Sequence, residues 1–264
     1  MVLVACDALR PVEIPIPTRF HDGGIGQTKE LVIFLPGLGD GIEAFERAGF
    51  IDQLRRSRRP LDSVSVDAHF GYYINGSISR RVYEDVLLPY GDCGYSRFIL
   101  VGTSLGGLGA IGLNHDYSDR IAGMVLLAPF LGDGSLIQEI EQAGGVRNWK
   151  QQLDYDPERE GKAWLWLEDM VDADTGTIPA AIIAYGAKDK FEPAGALLAR
   201  SIPPNMVFLN NGSHDWKTWA ALWTSILESD GWERFGETVR DEIGSSSIEP
   251  NPDTLTPLTK RCKR

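Results

Sequence analysis

Residues 97–115 read RFILVGTSLGGLGAIGLNH, and the fold turns on how this stretch is parsed. RFILV (97–101) has the length and β-branched, aromatic content of a buried strand. Leu105, Leu108 and Ile111 recur at the spacing of one helix face. Between them lies Gly102-Thr103-Ser104-Leu105-Gly106, a G-x-S-x-G pattern. In a strained strand-to-helix turn such a serine is exposed, and glycines flank it because side chains there would clash. The competing reading is an ordinary turn of small residues. A helix starting at Leu105 also aims its unpaired N–H outward beside Ser104, where it favours negative charge.

The same segment formally contains G-x-G-x-x-G at Gly107, Gly109 and Gly112. A dinucleotide-binding turn must follow its strand directly so that the backbone can approach a pyrophosphate. Here the pattern starts inside the helix, so these glycines read as a close packing surface. No cofactor is expected.

Outward from this unit, LVIFL (31–35), DSVSVDA (62–68), AGMVLLA (122–128), AAIIAY (180–185) and NMVFLN (205–210) also read as buried strands. Helical spacing links Ile42, Phe45, Phe50 and Leu54, and again Val82, Val86, Leu87 and Tyr90. Apolar strands alternating with amphipathic helices predict an α/β fold, a mainly parallel sheet with helices on both faces, because every parallel return needs a crossover. Residues 1–30, with Pro11, Pro15, Pro17 and the turn HDGG, are expected to form a lead-in or antiparallel edge hairpin ahead of a main domain over 31–243. Residues 133–178 form an insertion, a small lid with a helix carrying Ala163, Trp164, Leu167, Met170 and Val171 on one face. Residues 244–264 lack periodicity and are expected to be disordered.

The chain has 264 residues, 43% hydrophobic and 24% charged, which suits an ordinary globular protein. A formal charge of -11 repels phosphate backbones, so nucleic acid is not an expected partner. Cys6, Cys93 and Cys262 lie far apart with no histidine at ligand spacing, and indicate neither a disulfide framework nor a metal site. LVAC (3–6) matches the cleavage box of bacterial lipoproteins. If translation began upstream of Met1, Cys6 would be lipidated and the protein anchored in the cell envelope; otherwise Val2 to Ala5 are a chance apolar start and the chain is cytoplasmic. Membrane association is expected only through Cys6, and the sequence does not set the oligomeric state.

A serine nucleophile needs a base for its proton and a third group to orient that base. Of the four histidines, His115 would stand at the far end of the Ser104 helix, about 16 Å away at 1.5 Å per residue. His21 lies in the lead-in segment. His69 and His214 both follow strands, at the sheet edge where sites in open α/β folds gather.

Three motifs, GTSLGG (102–107), AYGAKDKFEP (184–193) and NGSHDW (211–216), occur in the order Ser, Asp, His. In this the chain resembles the α/β-hydrolase superfamily over about residues 31–228. The resemblance implies Ser104 as nucleophile, Asp189 as orienting acid and His214 as base. Asp133, after the strand at 122–128, is the alternative acid. The resemblance also implies an oxyanion hole from the amides of Leu105 and Leu38, with Gly37 as the alternative to Leu38. Many members carry His-Gly at that loop, where this chain has Pro36-Gly37. His69, Phe70, Tyr72, Tyr73 and Trp164, with Trp166, are candidates to line a substrate pocket or to pack in the core.

The reaction implied is cleavage of a small-molecule ester through an acyl-serine, with a rate that falls toward acid pH because a histidine base works only when neutral. A thioesterase or acyltransferase on the same residues is the near alternative. A hydrolase-like binding protein without activity is the alternative of another class.

Overall fold

The computed structural model describes residues 10–24, 28–178, 180–233 and 235. The readings placed on Cys6 and on residues 244–264 lie outside them. Strands β1 (Thr18–His21), β2 (Glu30–Leu35), β3 (Asp62–Val66), β4 (Arg97–Thr103), β5 (Ile121–Leu127), β6 (Ala181–Gly186) and β7 (Val207–Asn210) form one sheet in the order β1-β3-β2-β4-β5-β6-β7. β1 pairs antiparallel with β3, and every other pairing is parallel. Every residue of β2, β3, β5 and β6 is buried. That explains the apolar runs of β2, β5 and β6, since a parallel strand covered on both faces has no outward side to alternate, whereas β3 buries Asp62, Ser63 and Ser65 among its valines.

The helix Leu105–Asp116 follows β4 and is buried from Leu105 through Leu113. Its apolar residues run around the whole helix, because other helices cover the side turned away from the sheet. The segment from Ile42 to Leu54 differs from the single periodic helix its spacing predicts. It is two helices, Ala44–Arg47 and Phe50–Arg56, broken at Gly49, whose φ of 81° belongs to the left-handed region. The insertion holds three helices, Gly134–Gln142, Val146–Gln152 and Arg159–Asp169. On the last, Ala163, Trp164 and Leu167 face inward while Met170 forms the C-cap.

Phe34 on β2 meets Phe45, Phe50 and Trp223 at centroid distances of 4.7, 6.3 and 6.1 Å, locking the helix Trp216–Leu227 to the sheet. At the other edge, His21 Nε2 lies 3.0 Å from Ser65 Oγ. Burial pushes the His21 imidazole below its ordinary value, which favours its neutral form. Cys93 is disulfide-bonded, which the wide spacing of cysteines along the chain does not suggest. A disulfide depends on Cα atoms within about 7 Å in space, a distance that only folding determines. Among the described residues no helix is long and apolar enough to cross a membrane.

The backbone after β4 passes very close to β2. A Cβ on Gly106 would stand 2.0 Å from the Leu35 carbonyl oxygen, and one on Gly102 would stand 2.3 Å from the Gly106 carbonyl oxygen. Both obstacles are main chain, one at the end of β2 and the other in the first turn of the helix, so neither can swing aside. Gly106→Ala is therefore expected to cost about 3 kcal/mol or more, read as a lower urea midpoint with an unchanged slope.

Candidate active site

Ser104 stands between the last residue of β4 and the first of the following helix. Its backbone has φ 50° and ψ −116°, a conformation that non-glycine residues rarely adopt. Hydrogen bonds hold it there. The Ser104 N–H donates to the Leu127 carbonyl at 3.0 Å, and its own carbonyl accepts from Phe130 N–H at 2.9 Å. The side chain is thereby lifted out of the sheet edge at the N-terminus of the helix.

His214 comes from the loop after β7 and Asp189 from the loop after β6. The two loops touch because Gly186 has no side chain, since a Cβ there would stand 2.2 Å from the Gly212 carbonyl oxygen. Lys188 N–H donates to that same carbonyl at 2.8 Å. His214 Nδ1 lies 2.9 and 2.8 Å from the two carboxylate oxygens of Asp189, and His214 Nε2 lies 3.0 Å from Ser104 Oγ. A carboxylate only accepts hydrogen bonds, so the Nδ1 proton points to Asp189 and Nε2 offers its lone pair to the serine hydroxyl. Asp189 has a fully buried side chain, and its Oδ1 also accepts from Phe191 N–H at 2.8 Å. The imidazole is held edge-on by Phe191 and Trp219, with centroids 4.9 and 4.8 Å away. Such an arrangement can take the proton of a serine hydroxyl and return it to a leaving group.

The loop after β2 lies directly against the serine. A Cβ on Gly37 would be 3.3 Å from Ser104 Cβ. Gly37, Leu38, Ser104 and Leu105 border one cavity of about 840 Å³. As the first residue of its helix, Leu105 has an N–H with no partner one turn earlier, and that donor is available to the cavity. Asp40 in the same loop accepts from Trp216 Nε1 at 3.1 Å, tying this loop to the helix that follows His214.

The other candidate residues lie apart from this group. Asp133 is exposed and caps the helix Gly134–Gln142, accepting from the amides of Ser135 and Leu136. His69 is buried and caps the helix Phe70–Ile74, its Nδ1 accepting from Gly71 N–H at 3.2 Å. His115 stacks on Trp166 at 4.9 Å. Of the expected pocket residues, Phe70 and Tyr73 border the cavity. His69, Tyr72 and Trp164 do not. Tyr72 pins the lead-in segment through Glu13 at 3.0 Å, and Trp164 donates to the Leu131 carbonyl at 2.8 Å. These three pack in the core instead of lining the pocket, because their rings turn to partners away from the cavity. Sequence reading overlooked Phe130, Phe191, Trp216, Trp219 and Arg159, which all border the cavity. The first four have a sequence signal, since each lies just after a strand or within a few residues of Asp189 or His214. Arg159 has none, because only the folded insertion brings it to the site. Among the described residues no cluster of His, Cys, Asp and Glu could hold a metal ion.

The sequence model of the Alpha/beta hydrolase family matches residues 32–240. The chain belongs to that family. Its backbone is similar to MenH from S. aureus, with a TM-score of 0.53, 16% identity, and coverage of 83% of this chain and 98% of that one. It is similar to Est1E from Butyrivibrio proteoclasticus, with a TM-score of 0.52, 17% identity, and coverage of 86% and 94%. It is also similar to the S-formylglutathione hydrolase FrmB from Staphylococcus aureus, with a TM-score of 0.50, 19% identity, and coverage of 75% and 79%. At these identities the likeness concerns the fold. No curated protein sequence matches the chain significantly.

The positive φ at Ser104 predicts a stability cost independent of its hydroxyl. Ser104→Gly is expected to raise stability by about 1 kcal/mol, seen as a rise of about 2–4 °C in Tm for a domain of this size. Ser104→Ala keeps the strained backbone and should show no such rise.

Proposed function

We propose that this alpha/beta hydrolase is a serine esterase that cleaves carboxylic esters through an acyl-enzyme on Ser104. The observation that carries the reading is the continuous chain of hydrogen bonds from Asp189 through His214 to Ser104, ending at a cavity large enough for a small or medium acyl group. Ser104 Oγ attacks the ester carbonyl while His214 Nε2 takes its proton. The amides of Leu105 and Leu38 receive the oxyanion, replacing water with donors already in place. His214 returns the proton to the departing alcohol, and a water activated by the same imidazole then releases the acid. Asp189 holds the tautomer this cycle requires and offsets the charge of the imidazolium formed during it. The same residues could cleave a thioester. No feature of the cavity favours sulfur over oxygen in the leaving group, so the ester reading stands first.

Labelling with a serine-directed fluorophosphonate tests the reading. The native chain is expected to label and to hydrolyse nitrophenyl esters. Ser104→Ala is expected to do neither, and Asp189→Asn to lower kcat about 10⁴-fold. Equal labelling of the native chain and Ser104→Ala would overturn the assignment.

A further inference from the structure

The cavity runs from Ser104 along its helix, past Leu105 and Leu108, to an end that the hydrolytic cycle leaves unexplained. Tyr73 stands there. It is 3% exposed, and its hydroxyl has no hydrogen-bond partner among the described residues. A Cβ on Gly109 would lie 2.5 Å from that oxygen, which places it five residues beyond Ser104 on the helix, about 7.5 Å along the axis. An unpaired buried hydroxyl is destabilising and calls for an explanation. Burial pushes the phenol well above its ordinary value, so the group remains an O–H donor.

Arg159 forms the wall beside it. Its guanidinium donates to the Tyr73 carbonyl, which anchors the insertion to this end of the cavity. Among the described residues no carboxylate pairs with it. Other charged groups border the cavity as well. Glu158 and Glu160 also face a separate groove beside Gly132 and Leu136, Asp40 is engaged by Trp216, Asp215 accepts from Thr218 N–H as a helix cap, and Lys190 stands over the Phe191 ring. Tyr73, Leu108 and Arg159 also border a smaller adjoining cavity of about 190 Å³, so the far end of the site has room for a terminal group.

Tyr73, with its unpartnered hydroxyl, and Arg159, whose guanidinium has donors beyond the one given to the Tyr73 carbonyl, both border the far end of the channel, and both can donate to an acceptor placed there. A carboxylate satisfies both, because it accepts from several donors and balances the cationic charge. The departing alcohol is protonated by His214, so its side of the cavity is the one walled by Phe191 and Trp219. The channel along Leu105 and Leu108 is then the acyl side. We propose that Tyr73 and Arg159 form a specificity subsite for a carboxylate at the far end of the acyl chain, making the preferred substrates half-esters of dicarboxylic acids. This rests on Ser104 being the nucleophile of an esterase.

The test compares the nitrophenyl half-ester of adipic acid with nitrophenyl hexanoate, whose acyl chain has the same length without the charge. The native enzyme is expected to prefer the half-ester. The ratio of kcat/KM for the two substrates should fall about ten-fold or more in Tyr73→Phe and in Arg159→Gln, and Arg159→Lys should recover part of it. Taking the ratio within each variant removes any effect of partial unfolding. A native preference for hexanoate, or an unchanged ratio in both variants, overturns the subsite. If neither ester turns over, slowing of fluorophosphonate labelling at Ser104 by adipate decides: slowing that is weakened in Arg159→Gln supports the subsite, and no slowing overturns it. Esterase activity that persists in Ser104→Ala overturns the underlying reading instead.

Discussion

The backbone of Gly106 lies so close to the Leu35 carbonyl that no side chain could stand between them, and the rest of the site depends on this contact. It lets the helix Leu105–Asp116 begin directly over the edge of β2, with its N-terminus facing the loop that starts at Pro36. Ser104 is then forced into its positive-φ conformation between two strands and one helix. Hydrogen bonds to Leu127 and Phe130 keep it there. The turn is thus strained locally and supported by its surroundings.

A second close approach does for His214 and Asp189 what the first does for Ser104. Gly186 and Gly212 pass one another at main-chain distance, and the two loops they open carry Asp189 and His214. These residues come from successive parallel strands, whose C-terminal ends meet on one side of the sheet by topology alone. Aromatic rings fill the space around the imidazole and join it to the core. Trp216 packs edge-on against Phe45 and Phe50 at 5.1 and 5.7 Å while its indole N–H reaches Asp40. The loop beside the serine and the helix after the histidine are in this way held by one cluster.

Much of this was legible in the chain before folding is considered. Strand order along the sequence, the helix after Ser104 and the loops carrying Asp189 and His214 all follow from hydrophobic runs and turn residues. The break at Gly49 was less legible, because apolar spacing continues across it while the backbone leaves the right-handed helical region. His69 and Asp133 looked like candidates because of their positions after strands. The fold uses both as helix caps, a role for which their side-chain acceptors serve equally well. Tyr72 and Trp164 were ambiguous for a related reason: an aromatic ring suits a pocket wall and a core alike until its neighbours are known.

By itself the sequence determined the parallel α/β architecture, the turn that presents Ser104 and the order in which its partners follow, since these depend on local conformation and on periodicity along the chain. The tertiary structure alone decided the distances within the Ser104, His214 and Asp189 group, which of the aromatic residues border the cavity, and that Arg159 of the insertion lies beside Tyr73. Those contacts join residues as many as 110 positions apart. No local rule reaches that far, because the close packing of helices on the sheet sets where each side chain ends.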